Sequence, residues 1–582
     1  MIKKPASHTR LGQWFATAIC GNDILSSSLY VSGIAILFAG VYAPFVLAFI
    51  ALVLLAYKQV YTEVVEALPI NGGAYNCLLN GTSKTVAAIA GVMTILSYVA
   101  TAVISATVGI EYLTTVIPRI PVIPTTIALL LTFAVIVILG IKDSAKVAFG
   151  IFTLNVVVLF SFLVFGLLSY LSGHSYFLEN LAHTKEIISS HGNLFYALYL
   201  AFAASLLGVS GFESSANFVE EQKQGVFRKT LRNMLIGVAF FNPLIALVVL
   251  NSMPYQAIVA AKDFLLADAA FALGGHPYQY IVVTDAFLVL SGAVLTAYVG
   301  VSGLIHRMAA DNCLPGVLSF QNKNGSFPRI IISFFLLCTS ILLITHGSLL
   351  SLAGVYTIAF LGVMTLFALG NIILKQTRTE LKRTYKAPLM VVIAAGLATL
   401  FGIFGNIRID PRNLTFFEIY FIPSFILVLL IVYQDDVMRF LMKVTRHIPS
   451  IHKYILDHFD DLVEGKFVIF INHIDRLYDV LDYVNKNETG WNIVIVHCRN
   501  WDMKSDKDRY KELQDVLPVL KKSGVFPHLN ITTHYEEEPF GPEAINNVAK
   551  KLKVRKNRIM IGSIHHFHPF DYDDLGGVRI IF

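Results

Sequence analysis

Long apolar stretches dominate the first three quarters of the chain. Val41–Tyr57, Ile127–Ile141 and Val147–Leu171 hold no charged residue. A helix needs about 20 mostly apolar residues to cross a bilayer. The pattern predicts about twelve membrane spans by this criterion, near residues 13–38, 41–64, 84–116, 122–141, 147–172, 194–219, 230–252, 278–305, 328–346, 348–374, 388–406 and 415–433. We therefore expect an all-α polytopic membrane protein.

The pattern changes after Asp435, where charges become frequent and the apolar runs become short. Four strand-like runs lie at 467–472, 491–497, 529–533 and 558–562. Helical patterns near 474–487, 505–524 and 541–553 alternate with them. This alternation is typical of a mostly parallel sheet. We expect three parts, which are a transmembrane domain at 1–434, a helical linker at 435–465 and a cytoplasmic α/β domain at 466–582.

Composition supports lipid surroundings and argues against several other classes of protein. The chain is 55% hydrophobic and 14% charged, whereas soluble domains carry roughly 25% charged residues. The net charge of +6 is small for 582 residues, and no basic run alternates with aromatics. Nucleic acid is therefore not an expected partner. The five cysteines are scattered without CxxC spacing, so neither a zinc site nor a disulfide framework is indicated.

Basic residues in the predicted loops indicate the orientation of the chain. With the N-terminus in the cytoplasm, the inner loops carry 18 Lys and Arg residues and the outer loops carry 5. Cytoplasmic loops are enriched in Lys and Arg. This asymmetry and the even number of spans predict a multi-pass protein with both termini in the cytoplasm.

Two predicted spans are interrupted by small, polar and acidic residues. The first span contains Gly21–Tyr30 and the sixth contains Gly208–Ser215. Irregular backbone at membrane depth is tolerated only where it lines a protein-enclosed cavity. Paired interruptions at matching positions of two halves indicate a transport site between inverted repeats. Asp23 and Glu213 lie in these segments, and a carboxylate in hydrocarbon is costly unless it is paired, protonated or solvated.

Three segments resemble signatures of the amino acid–polyamine–organocation (APC) superfamily. Gly211–Glu221 resembles its sixth-helix signature, and Pro69–Tyr75 resembles the loop after its second helix. Ala309–Pro315 with Ser326–Arg329 resembles its loop between helices eight and nine. The resemblance covers roughly residues 10–430. It implies the LeuT-like fold with five-plus-five inverted repeats and transport by alternating access.

The first span resembles potassium transporters of this superfamily. Asn22–Tyr30 is similar to the Gly-Asp-Ile…Pro-Leu-Tyr stretch of Kup transporters and to the first helix of KimA-type importers. The KimA type also has a C-terminal α/β domain of similar size. The resemblance implies that four residues face the ion, namely Asp23, Tyr30, Thr101 and Glu213. This chain has Ser97 and Ala353 where the KimA type has Asp and Tyr.

The residues allow two classes of substrate. A dehydrated K⁺ needs several oxygens and a negative charge nearby, and Glu213 could carry a coupling proton. The alternative is an amino acid or a cationic amine, of which the cationic amine suits Asp23 better. The predicted substrate- or ion-binding residues are Asp23, Ser26, Ser27, Ser28, Tyr30, Thr101, Gly211 and Glu213.

We therefore predict a secondary active transporter for a small solute, coupled to protons, with potassium favoured. HExxH, GxSxG and paired-cysteine motifs are absent from the sequence, so we expect neither an enzyme nor a cofactor. Asp285 is either a second acidic group of the pathway or a residue near its outer mouth. The cluster His565–His568 with Asp571, Asp573 and Asp574 is expected to be solvated surface, and no metal site is predicted.

The C-terminal domain resembles a universal-stress-protein-like α/β unit. It lacks a Gly-rich phosphate loop, because Gly562-Ser563 is followed by Ile564-His565. This favours dimerisation or regulation over nucleotide hydrolysis. The KimA-type resemblance implies a homodimer formed through this domain, and the architecture resembles proteins of the bacterial inner membrane.

Overall fold

The structure is a computed structural model of the whole chain. It describes residues 10–140, 145–217, 219–379, 381, 383–445, 466–471, 477–488, 492–499, 503–522, 524–527, 529–554, 556–562, 575 and 578–580. The histidine cluster at 565–568 with Asp571, and most of the predicted linker, lie outside these ranges. The chain divides into two compact units. The first comprises residues 1–81, 86–306 and 317–425, and the second comprises 82–85, 307–316 and 426–582.

The first unit is built from helices. They are α1 Gln13–Ser26, α2 Ser28–Ala39, α3 Ala43–Ala67, α4 Gly73–Gly81, α5 Lys84–Thr114, α6 Val122–Ile138, α7 Ala145–Leu171, α8 Phe177–Ser190, α9 Leu194–Ser205, α10 Phe227–Ser252, α11 Tyr255–Ala260, α12 Leu265–Ala310, α13 Pro328–Ile344, α14 Leu349–Thr377, α15 Leu389–Ile409 and α16 Arg412–Val432. The ends of α5, α12 and α16 extend into the second unit.

These helices confirm the predicted polytopic membrane protein. Among the described residues, nine helical stretches are long and apolar enough to cross a membrane. One of them, Gln13–Ala67, has 55 residues and is divided near Gly40, whose φ is +54°, so it corresponds to the first two predicted spans. Two shorter apolar helices, Val122–Ile138 and Pro328–Ile344, correspond to predicted spans four and nine.

The structure adds helices that hydropathy did not predict. α4, α8 and α11 are too short or too polar to cross a bilayer. α12 begins thirteen residues before the predicted eighth span and contains a kink, because Gly275 has φ of +69° and Pro277 follows it. Proline removes a helix hydrogen bond and bends the helix.

The second unit contains a parallel sheet. Its strands are β1 Lys466–Phe470, β2 Asn492–Arg499, β3 Asn530–Pro539, β4 Ile559–Ile561 and β5 Arg579–Ile580, and its further helices are α17 Gln434–Val444, α18 Leu477–Asn487, α19 Met503–Lys522 and α20 Pro542–Lys551. The strand order is β3-β2-β1-β4-β5, and every pairing is parallel. β1 and β2 are buried along almost their whole length, as parallel strands covered on both faces require. The predicted α/β domain is confirmed.

A buried ionic cluster holds together distant segments of the second unit. Arg579 is among the largest fully buried side chains. Its guanidinium pairs with Glu488 and lies 3.4 Å from Asp311 Oδ1. Lys84 Nζ lies 2.5 Å from Glu488 Oε1. The cluster therefore joins the final strand to residues 82–85 and 307–316.

The charges of this cluster hold Glu488 in its ionised form. Burial opposes ionisation of the carboxyl group, but the nearby Arg579 and Lys84 outweigh burial and hold the pKa of Glu488 below its ordinary value. A depressed folded-state pKa adds stability above the unfolded value of about 4.3, and this stability is lost as pH falls through the folded pKa.

We predict that Glu488→Gln destabilises the second unit by about 3–5 kcal/mol, since removing one partner leaves buried charge uncompensated. Hydrogen exchange of β1 and β2 in the full-length protein measures this loss. The matched control is Glu543→Gln, because Glu543 is exposed in the first turn of α20. Two results would contradict the role of the cluster. One is equal protection from exchange in the two variants, and the other is a Glu488→Gln variant that loses protection on acidification as the wild type does.

Candidate functional site

The sixth span is interrupted where its sequence contains Gly-Val-Ser-Gly. α9 ends at Ser205, and 3₁₀ turns cover Leu206–Val209 and Glu213–Asn217. Between them Ser210 is extended, with ψ of 147°, and Gly211 has φ of +89°. A left-handed φ favours glycine. The interruption expected at this position is therefore present, and it extends over several residues.

The first span is interrupted at a single residue. Ser27 separates α1 from α2 but keeps helical angles, with φ of −64° and ψ of −25°. Its amide donates to Ile24 O at 3.3 Å, and its carbonyl accepts from Val31 N at 2.9 Å. The interruption is therefore narrow, and serine hydroxyls bond to backbone carbonyls of the preceding turn. Ser26 Oγ donates to Asp23 O at 2.6 Å.

The two interrupted segments lie directly against each other. Ser27 Oγ lies 2.7 Å from Ile24 O and 3.0 Å from Gly208 O, so it bridges the two spans. A Cβ atom at Gly211 would lie 2.8 Å from Asp23 Cγ and 2.9 Å from Ile24 N. Only the absence of a side chain at Gly211 therefore permits the backbone of one span to approach the carboxyl group of the other.

Both predicted carboxyl groups are buried at this junction. Asp23 is 2% exposed and Glu213 is 6% exposed. Glu213 accepts from Gly211 N at 3.1 Å and from Ser97 Oγ at 3.4 Å. The Ser214 side chain is a hydrogen-bonding neighbour of the Asp23 carboxyl group. No Lys, Arg or His forms an ion pair with either group among the described residues, so both depend on neutral oxygen and nitrogen donors.

Hydroxyl groups from helices three and ten of the predicted order complete the surroundings. The buried Tyr356 hydroxyl of α14 lies beside Thr101 and interacts electrostatically with both carboxyl groups. Thr101 Oγ1 donates to Ser97 O at 3.0 Å on α5. Tyr30 is buried, and its hydroxyl lies beside Ser210.

Most of the predicted site residues are thus brought together, and one points elsewhere. Ser28 Oγ donates to Asn242 Oδ1 of α10 at 2.6 Å. Sequence reasoning did not assign Ser97, Ser214 or Tyr356 to the site. Ser97 was noted only as the position at which the KimA type has Asp, and Tyr356 lies three residues after Ala353, where the KimA type has Tyr. Ser214 lay within the quoted sixth-span motif. The described residues contain no cluster of three or more metal-ligating side chains.

A cavity opens on one side of this junction. It has a volume of 190 Å³ and is lined in part by Ile34 of α2, Ala204 of α9 and Thr357 of α14. Ile34 lies one helical turn from Tyr30 along α2, and Thr357 directly follows Tyr356. Neither tyrosine and neither carboxyl group lines the cavity.

The opposite side is closed by backbone pairing. Leu11 N donates to Glu221 O at 2.7 Å, and Leu11 O accepts from Lys223 N at 3.0 Å. Asn71 Oδ1 accepts from Val219 N at 2.7 Å. Backbone pairing therefore holds the residues just before α1 against the segment that follows the sixth-span interruption.

We predict that Gly211→Ala destabilises the protein by about 1–3 kcal/mol through backbone strain alone, with a further loss from the contact with Asp23. Gly225→Ala is the matched control, because Gly225 also has a positive φ of +75° but has no atom near its absent Cβ. The apparent melting temperature of the purified protein should fall further for Gly211→Ala. Equal shifts would show that the approach to Asp23 is not tight.

Comparison with known proteins identifies the family. The sequence model of the family described as amino acid permease matches residues 11–442. The chain is 24% identical over 362 residues to the potassium transporter KimA of Bacillus subtilis (strain 168), covering 59% of this chain and 58% of that protein. It is 25% identical over 221 residues to the b(0,+)-type amino acid transporter 1 of Homo sapiens, covering 37% of this chain and 44% of that protein. Both alignments span less than two thirds of these relatives.

Solved structures of a manganese transporter of Eremococcus coleocola are also similar. Two mutant structures each have a TM-score of 0.47 and 12% identity, with 74% of this chain and 95% of the transporter covered. The family match extends over most of the chain, from α1 to α17. The chain therefore belongs to the amino acid permease family of the APC superfamily of transporters.

Proposed function

We propose that this transporter takes up a small monovalent cation, with potassium favoured, together with a proton. The proposal rests on the buried carboxyl groups of Asp23 and Glu213, which lack a basic partner among the described residues. Their hydrogen-bonding neighbours are hydroxyls and backbone amides. Such an oxygen-rich, acidic environment favours a cation over a neutral or anionic solute.

The geometry of the first span argues for an inorganic cation rather than an amino acid. A substrate carboxylate would need free backbone amides at the interruption. The amides of Ser27, Tyr30 and Val31 all donate to backbone carbonyls. The close approach of Gly211 to Asp23 also leaves little room for an organic amine. Similarity to a protein named as a potassium transporter supports the proposal.

An amino acid or a cationic amine is the second candidate. Similarity to a b(0,+)-type amino acid transporter favours it, as does Ser97, which supplies a hydroxyl where the KimA type has a carboxylate. Growth of a potassium-uptake-deficient bacterial strain at micromolar K⁺ separates the two candidates. Growth supported by this protein is expected. No growth, combined with saturable uptake of an amino acid or amine, would overturn the potassium assignment.

In the proposed mechanism Asp23 supplies negative charge to the bound cation, and Glu213 binds the coupling proton. Gly211 N donates to Glu213, so the carboxyl group is held by the irregular segment itself. A change in its protonation therefore alters a bond of the sixth-span interruption. The homodimer, the placement in the bacterial inner membrane and the cytoplasmic termini stay predictions, as do the domain boundaries.

We predict that Asp23→Asn lowers the affinity for the cation by roughly ten- to a hundredfold, because an interaction with a charged group contributes about 1.5–3 kcal/mol. Uptake of the radioactive ion into proteoliposomes measures this loss. Asp515→Asn is the control, because Asp515 is exposed on α19. Uptake by Asp23→Asn equal to that of the control would remove Asp23 from the site.

We predict that Glu213→Gln loses dependence on the proton gradient more than it loses solute binding. A protonophore should collapse concentrative uptake by the wild type, whereas the variant should equilibrate the solute with no response to the protonophore. Equilibrium binding, measured separately, should change less than accumulation. Unchanged accumulation with unchanged pH dependence would contradict the proton role.

A further inference from the structure

A second buried carboxyl group lies between α7 and α12. Asp285 is 1% exposed and Asn155 is fully buried. Asn155 Nδ2 donates to Asp285 Oδ2 at 2.8 Å. Asp285 lies well inside α12, eight residues beyond Pro277, and Asn155 lies ten residues into α7. Neither residue takes part in the junction formed by Asp23 and Glu213.

This pair is incompletely satisfied. Asp285 Oδ1 and Asn155 Oδ1 are both buried without a hydrogen-bond partner in the described part of the chain. Ionised carboxylates accept several hydrogen bonds, and one in hydrocarbon with a single neutral donor is costly. No basic side chain forms an ion pair with Asp285 among those described. The Asp285 carboxyl group therefore lacks a hydrogen-bond partner for Oδ1 in the described part of the chain.

Two tyrosines are the titratable groups that interact electrostatically with Asp285. They are Tyr112 of α5 and Tyr278 of α12. The Tyr112 hydroxyl donates to Leu29 O at 2.7 Å. The Tyr278 hydroxyl lies 2.9 Å from Ser161 Oγ. Since both hydroxyls already have partners, neither supplies the missing interaction.

A shallow groove on the surface of α7 and α12 reaches this carboxyl group. Its volume is 270 Å³, and its lining consists of Leu154, Tyr280, Ile281, Thr284 and Asp285 itself. The lining is mostly apolar, and the Thr284 hydroxyl already donates to Tyr280 O at 2.8 Å. It therefore offers too few oxygens for a dehydrated K⁺, which needs several.

We propose that Asp285 and Asn155 form a second proton-binding site, separate from Glu213. A proton added to Asp285 Oδ2 turns this acceptor into a donor. Rotation of the Asn155 amide by a half turn then presents its oxygen to that proton. The O–H bond of the hydronium ion that delivers the proton breaks as the carboxyl O–H bond forms, and no other covalent bond changes. The amide thus satisfies the charged form through its N–H and the neutral form through its oxygen.

The position of α7 connects this site to the first interrupted span. Phe152 of α7 lies against Gly21, where a Cβ atom would come within 2.5 Å of the ring. Asn22 Nδ2 donates to Ala148 O at 3.0 Å. Asn155 lies less than one turn beyond Phe152 on α7. A shift of α7 on protonation of Asp285 would therefore displace the residues beside Asp23. This coupling role rests on the proposed function.

Infrared difference spectroscopy of the purified full-length protein tests the proton site without any transport. The wild type should show the pH-dependent carbonyl band of a protonated carboxyl group. Asp285→Asn should remove this band, whereas Asp268→Asn should retain it, because Asp268 lies in the first turn of α12. A folded Asp285→Asn variant that loses no band would overturn the site.

A second variant covers the case in which Asp285→Asn does not fold. Asn155→Leu keeps the carboxyl group but removes its partner, so the frequency of the same band should shift. An unchanged frequency in Asn155→Leu would overturn the proposed pair. Both spectra are independent of solute, so they remain decisive even if the proposed potassium transport is wrong.

The coupling role has its own measurement. Proteoliposomes with an internal pH dye report the number of protons that enter for each solute ion. We expect this ratio to fall in Asp285→Asn and to stay at the wild-type value in Asp268→Asn. An unchanged ratio in Asp285→Asn would overturn the coupling role. Whether Asp285 binds a proton is decided by the infrared measurement.

Discussion

The cost of an ionised oxygen in hydrocarbon organises this protein. Asp23 and Glu213 are buried within helices that cross a membrane, and neutral groups surround them. Each carboxyl group must therefore be protonated or meet a cation during the working cycle. Three features bring the two groups together. They are the interrupted sixth span, the bridging hydroxyl of Ser27 and the absent side chain of Gly211.

Other buried acids of the chain show the contrast. Glu63 of α3 is 1% exposed, and it pairs with Lys375 at 3.1 Å and with Arg383 at 3.2 Å. Glu488 is paired with Arg579 and Lys84. These carboxylates are neutralised by fixed cations and therefore hold segments together. A buried acid without a fixed cation is instead available to a mobile one, which separates the proposed transport groups from structural ion pairs.

The sequence predicted the elements well because each depends on a local pattern. Apolar length defines the membrane helices. The alternation of short apolar runs with helical patterns predicts that the strands pair in parallel, but it does not predict the order of the strands in the sheet. The two-residue strand β5 was missed because it is too short to show a pattern. The helices α8 and α11 were missed because hydropathy detects only helices that cross the membrane.

The site was predicted in part, for a related reason. Asp23 and Glu213 stand out because acids are rare in apolar stretches. Ser97 and Tyr356 do not, since hydroxyl residues are common in membrane helices, and only tertiary packing brings them to the carboxyl groups. The first interruption is confined to Ser27, and serine hydroxyls bond to backbone carbonyls there. Sequence alone also directed Ser28 to the site, whereas its hydroxyl bonds to Asn242.

A double-mutant cycle on equilibrium cation binding tests whether Asp23 and Glu213 serve one cation site. It compares the wild type with Asp23→Asn, Glu213→Gln and the variant that carries both changes, all as purified full-length protein. If the two carboxyl groups serve one site, the combined loss of binding free energy will differ from the sum of the single losses by about 0.5–3 kcal/mol. Strictly additive losses, or single variants that bind as tightly as the wild type, would contradict the account.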